Sequence, residues 1–129
     1  MRTFLYLFLS VLLTGSIIGC RRATESDRLR SAAVDYYGHF IAGEYAQCVD
    51  AIVYRDSMTD EYRSQLIDLL AQYAEREKCR TGGLVAVRVL SDTIMEEVGH
   101  VFLEAVYADS TSEEIVLPMV RSGEGWKIQ

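Results

Sequence analysis

One proline and two histidines stand in 129 residues. His39 and His100 are too far apart in sequence for a metal-ligand spacing. A glycine-rich phosphate loop is missing too, because Gly82-Gly83 lacks the surrounding pattern. No serine sits in a nucleophile elbow. Basic residues are outnumbered 13 to 19, a net charge of −6, and form no stripe, which excludes nucleic acid as a partner. No metal site, cofactor or catalytic residue is therefore expected.

Half of the residues are apolar and a quarter charged, a globular composition. Phe4 to Leu13 (FLYLFLSVLL) is an apolar run of signal-peptide length behind Arg2. An uncleaved span would have only Thr3 to Gly19, about 17 residues, at the lower limit for crossing a bilayer. Ile17-Ile18-Gly19-Cys20 resembles a bacterial lipobox, which implies that Cys20 is diacylated and becomes the new N-terminus. The expected organisation is a signal peptide at 1–19, a lipidated cysteine and tether at 20–26, and one domain at 27–129. That domain would be held to a membrane of the bacterial cell envelope. Arg21 and Arg22, in place of acidic residues after the cysteine, favour a periplasm-facing address. Cleavage leaves 110 residues, enough for a single core, with 12 basic against 19 acidic residues.

Cys48 and Cys79 remain. A long helix starting near Ser57 would carry Cys79 roughly 30 Å from its start at 1.5 Å per residue, whereas a disulfide needs Cα atoms within about 7 Å. The two are expected to be free and semi-buried.

Thr24-Glu25-Ser26-Asp27 fits a capping box. Leu29, Ala33, Tyr36, Tyr37, Phe40 and Ile41 then recur at three and four, an apolar helical stripe ending at Gly43. Asp35 and His39 fall off that stripe as an i,i+4 surface pair. Glu44 to Val53 reads as a short second helix. Ser57-Met58-Thr59-Asp60 opens a third, whose stripe of Met58, Tyr62, Leu66, Leu69, Leu70 and Tyr73 is expected to face the core. Gly82-Gly83 stops it.

From Leu84 the period changes to two, with turn signals at Glu96-Glu97, Asp109 to Ser112 and Ser122 to Gly125. The pattern predicts a four-stranded antiparallel meander. A first hairpin centred near Glu96 would put Val85 opposite Tyr107, Val87 opposite Ala105 and Val89 opposite Leu103 on the core face. Arg88–Glu104, Leu90–Phe102 and Asp92–His100 would face each other on the outer face, with matched charge signs. A second hairpin near Thr111 would put Tyr107 opposite Ile115. The outer face would also carry Val106, Val116 and Val120. With Leu90 and Phe102 these form an apolar patch suited to pairing two copies or docking an envelope partner.

Three helices followed by a curved antiparallel meander resemble the nuclear transport factor two-like, or cystatin-like cone, superfamily. More narrowly, the lipobox, Ala33-Val34-Asp35-Tyr36-Tyr37 with Gly43-Glu44-Tyr45, Val101-Phe102-Leu103, and Val116-Leu117-Pro118-Met119-Val120 through Gly125-Trp126-Lys127-Ile128 are similar to small bacterial lipoproteins of that fold. The resemblance implies an α+β cone, three N-terminal helices packed on one face of the sheet. Enzymes of the superfamily, isomerases and dehydratases, need an acid or histidine inside the cone. The expected register leaves His100, Glu104, Asp92 and Arg88 outside, which points to a non-catalytic binding or interaction module. Tyr36, Tyr62, Tyr73 and Tyr107 are the candidate lining of a pocket for a small apolar ligand. A small isomerase or hydratase, with His100 and Glu104 as its first dyad, and a structural envelope component are the alternatives.

Overall fold

The computed structural model describes residues 23–129 apart from Glu124; the signal segment, the lipobox and Cys20 lie outside the described residues. Helix α1 spans Glu25–Ile41, inside the stretch given to the tether by two residues. Its start follows from Thr24, whose hydroxyl accepts from the Asp27 amide while the Asp27 carboxylate accepts from the Thr24 amide. Helix α2, Tyr45–Asp50, is shorter than Glu44 to Val53, and a 3-10 turn at Arg55–Ser57 follows. Helix α3 spans Asp60–Thr81, capped by Thr59 at one end and by left-handed Gly82 at the other. Asp50 joins α2 to α3 by accepting from Arg63 at 2.8 and 2.9 Å and from Arg55 at 2.7 Å. The Arg63 hydrogen bond first, then the Arg55 one, lower its pKa to about 2.

Four antiparallel strands follow in meander order: β1 Leu84–Met95, β2 Val98–Tyr107, β3 Ser112–Ser122 and β4 Gly125–Ile128. The α+β architecture is the one expected. Val101, Leu103, Leu117, Met119, Trp126 and Ile128 form the core with Leu29 and Ala33 of α1. Gly99 makes room for α1: a Cβ there would stand 2.8 Å from a Leu29 methyl. The far edge is closed by the chain after α2, where the Val53 amide donates to Ile128 and the Ile128 amide to Ala51, both at 2.8 Å.

Two features of the register differ from expectation. In β1–β2 the central pairs Val87–Ala105, Arg88–Glu104 and Val89–Leu103 stand as anticipated. Bulges between Leu84 and Ala86 and between Val89 and Ser91 shift both ends by one residue, so Leu84 faces Tyr107, Ser91 faces Phe102 and Thr93 faces His100. One extra residue reverses every side chain beyond it. Asp92 thus turns to the core side opposite Val101, its side chain 7% exposed. There it accepts from the Ser26 hydroxyl and from Arg30 Nε, pinning the first turns of α1 to the sheet.

The second hairpin is centred two residues earlier, near Asp109, which moves each partner by four: Leu103 in place of Tyr107 faces Ile115, Val101 faces Leu117 and Ala105 faces Glu113. The Asp109 carboxylate sets this turn by accepting from the Thr111 amide and hydroxyl, with Ser110 at φ 69°. An even shift preserves the faces, so the core set survives, but Glu113 joins the strand on the inner side.

The third helix departs further from expectation. Only Ala74, Glu77 and Thr81 of α3 are buried, while Tyr62, Leu69 and Tyr73 are about half exposed. Helix α1 covers the core; α3 packs on α2 and is tied down at its C-terminal end, where the Asp109 amide donates to Thr81 and the Ala108 amide to Gly83. Gly82, at φ 83°, makes that junction possible, because a Cβ would stand 2.8 Å from the Ala108 Cβ. Gly82→Ala is expected to lower stability by roughly 1–3 kcal/mol, read as an earlier urea midpoint with an unchanged slope. Gly43→Ala, also at positive φ but facing open space, should cost less.

Candidate functional site

The loose seating of α3 leaves a cavity of about 180 Å³ between α1, α3 and the open end of the sheet. A cavity of ~150 Å³ is enough to hold a benzene-sized molecule. Five aromatic rings line it: Tyr36, Tyr37 and Phe40 from α1, Tyr73 from α3 and Tyr107 from β2. Leu84, Ala105, Ile115 and Leu117 form its floor on the sheet. Helical spacing places Tyr36, Tyr37 and Phe40 on one face of α1. Tyr36 and Tyr37 meet edge to face at 5.1 Å, and Phe40 lies 6.1 Å from Tyr73 across the gap between the two helices.

Three of the four expected tyrosines, Tyr36, Tyr73 and Tyr107, come together here. Tyr62 does not: it sits nearly three turns back along α3, in a separate shallow groove with Ile52, Tyr54, Met58 and Leu66. Two carboxylates complete the cavity, against the expectation of an inner face without acids. Glu77 is buried and accepts from Arg80 at 2.9 and 3.0 Å. Glu113 accepts from the Tyr107 hydroxyl. Both were foreseeable in part: Glu77 follows Tyr73 by one helical turn, and Glu113 shares the parity of Ile115 and Leu117.

Burial raises the pKa of Tyr36 and Tyr37 to about 12, helped for Tyr36 by Cys48 and for Tyr37 by Tyr36. Tyr73 is raised by burial and by Glu77. Tyr107 is pushed up by burial, then by its hydrogen bond to Glu113. All four tyrosines therefore stay protonated at neutral pH and present donors.

The other candidates lie elsewhere. His39 faces Glu44 at 3.2 Å and not Asp35, because the chain turns back at Gly43. His100 and Glu104 are on the outer face, opposite Thr93 and Arg88. That face also carries Phe102 opposite Val116, Val106 opposite Ala86 and Val120 opposite Lys127. Leu90 is the extra residue of a bulge, 42% exposed, and does not pair with Phe102. Among the described residues no group of His, Cys, Asp and Glu is placed to hold a metal ion, and no helix is long and apolar enough to cross a membrane.

Two solved structures are similar to this chain in overall fold. A transpeptidase candidate of the NTF2-like fold from Campylobacter jejuni superposes with a TM-score of 0.62 and 14% identity, over 77% of this chain and 94% of that one. This chain has the NTF2-like cone fold. A SEC-C motif-containing protein from Rhodopseudomonas palustris superposes with a TM-score of 0.53 and 13% identity, over 84% of this chain and 78% of that one. No protein-family model and no curated protein matches the chain. Identities this low carry the fold, and the fold is compatible with a small-ligand-binding or enzyme-like domain.

Among the described residues both cysteines are free: Cys48 is buried and Cys79 exposed, not both semi-buried. Cys48 Sγ lies 3.6 Å from the Tyr36 carbonyl, and burial pushes its thiol up to about 11. In a Cys20→Ser chain, maleimide is expected to label Cys79 quickly at mildly alkaline pH and Cys48 only after denaturation. Equal labelling rates in the native protein would contradict the buried position of Cys48.

Proposed function

We propose that this protein is a lipid-anchored binding module of the bacterial cell envelope, holding a small ligand in the cavity between α1, α3 and the sheet. The observation that carries it is the cavity itself: an aromatic-lined space with a few convergent polar groups, left by a helix that does not close onto the core. The anchor rests on the lipobox-like Ile17-Ile18-Gly19-Cys20. Incorporation of a palmitate analogue in growing cells should be abolished by Cys20→Ser.

A second role, pairing of two copies through the outer sheet face, is supported by Met95, 78% exposed, and by Val116, 50% exposed, beside Phe102 and Val120. The alternative of a cone enzyme of isomerase or hydratase type is favoured by one observation, the Tyr107 hydroxyl beside Glu113 within the cavity.

Cavity binding is tested by substitution at the floor. Leu84→Trp should fill the space, abolish binding of small apolar probes such as 3,3-dimethylbutan-1-ol, and leave the circular dichroism spectrum unchanged. Equal binding by the variant and the parent would place the ligand elsewhere.

A further inference from the structure

The charge around the cavity is net acidic, two carboxylates against the one guanidinium of Arg80. Of its two carboxylates, Glu77 is matched by Arg80, which donates to both oxygens. Glu113 makes no ion pair among the described residues; its one hydrogen bond comes from the neutral Tyr107 hydroxyl. No lysine, arginine or histidine is among the residues lining the cavity. Arg80, already held by Glu77, also feels the Glu113 charge, but no cationic side chain lines the space itself, so an anion entering it would meet the Glu113 carboxylate at the rim.

The aromatic lining points the same way. Tyr36, Tyr37, Phe40, Tyr73 and Tyr107 belong to three different elements and surround a single volume. Ring faces carry negative electrostatic potential and attract a positive group held within ~6 Å, most strongly when it is partly removed from water. Rings around a cation, with one carboxylate outside any ion pair at the rim, bind a weakly hydrated organic ammonium better than a compact metal ion. An alkylated nitrogen spreads its charge over carbon that the rings can cover, whereas a metal ion needs several oxygens that the cavity does not converge.

Resting on the cavity-binding reading above, we infer that the ligand class is a small organic cation, an alkylated ammonium, with its charged head among the tyrosines and beside Glu113. The volume of about 180 Å³ limits it to a head group with a short substituent. Glu113 is exposed at the strand start and reaches the cavity through Tyr107, so it meets the ligand at the entrance.

Three probes of one shape separate this from cavity binding as such: choline, its neutral isostere 3,3-dimethylbutan-1-ol, and the anion 3,3-dimethylbutanoate. Each is titrated into the purified protein and followed by amide chemical shifts. Choline should bind at least tenfold more tightly than the alcohol and the anion least. Its shifts should centre on Tyr36, Tyr73 and Tyr107. Glu113→Gln keeps an acceptor for Tyr107 and should weaken choline about tenfold while leaving the alcohol unchanged. If the alcohol binds as well as choline, or the anion better, the cavity stands as a binding site and the cation assignment falls. If none of the three shifts the cavity residues, both fall.

Discussion

Strand β1 has two residues more than β2 can pair, at Leu84–Ala86 and Val89–Ser91, and much of the molecule depends on that mismatch. A bulge bends a strand and increases its twist, so two of them curve the edge of the sheet. The second also reverses the facing of the residues beyond it. It turns Asp92 inward, where the carboxylate takes the Ser26 hydroxyl and Arg30. That clamp orients α1 over the sheet, and Leu29 then drops against Gly99 beside Trp126. A carboxylate so nearly removed from water would be costly without these partners. The ion pair and the core contact are therefore two parts of one docking.

With α1 fixed from its first turn, the rest of the cone is settled by what α3 is able to reach. The short α2 and the 3-10 turn precede an α3 that stands off the core, and the chain is tied back to the β2–β3 hairpin at Thr81 and Gly83. Apolar residues on the outer run of α3 stay half in water, while its inner turns bring Tyr73 and Glu77 over the open end of the sheet. The space between is kept by side chains too bulky to collapse, with Phe40 and Tyr73 spanning the two helices. The aromatic cluster holds the helices apart and at the same time supplies the surface that a ligand would touch.

The proposed lipid anchorage and the proposed binding cavity would suit each other. A tethered domain samples a small volume next to a membrane, so a modest affinity for a ligand enriched there suffices for occupancy. The net acidic surface does not favour close contact with anionic lipid. The tether would then carry the membrane association, leaving the cone free to meet what passes through the envelope.

Much of the fold is legible in the chain. Thr24 and Thr59 announce their helices, Gly82-Gly83 ends the last one, and the change of period at Leu84 marks the sheet. Alternation alone selects Val101, Leu103, Leu117 and Met119 for the core, because a register shift by an even number of residues leaves faces unchanged. Three of the cavity tyrosines are equally visible. Local pattern does not reveal the bulges, since any residue of β1 can be the extra one until helix docking selects it. Alternation therefore places Asp92 on the wrong face. The carboxylates of the cavity are hidden for a related reason: Glu113 enters the strand only because Asp109 tightens its turn, and Glu77 becomes buried only because α3 meets the sheet at one end. By itself the sequence determined the elements, the core residues of α1 and the sheet, and the lipobox-like pattern at Cys20, all of which rest on short-range periodicity and local motifs. Tertiary structure alone decided where the core stops and a cavity begins, because that boundary depends on how far α3 stands from a curved sheet, a distance that no local pattern encodes.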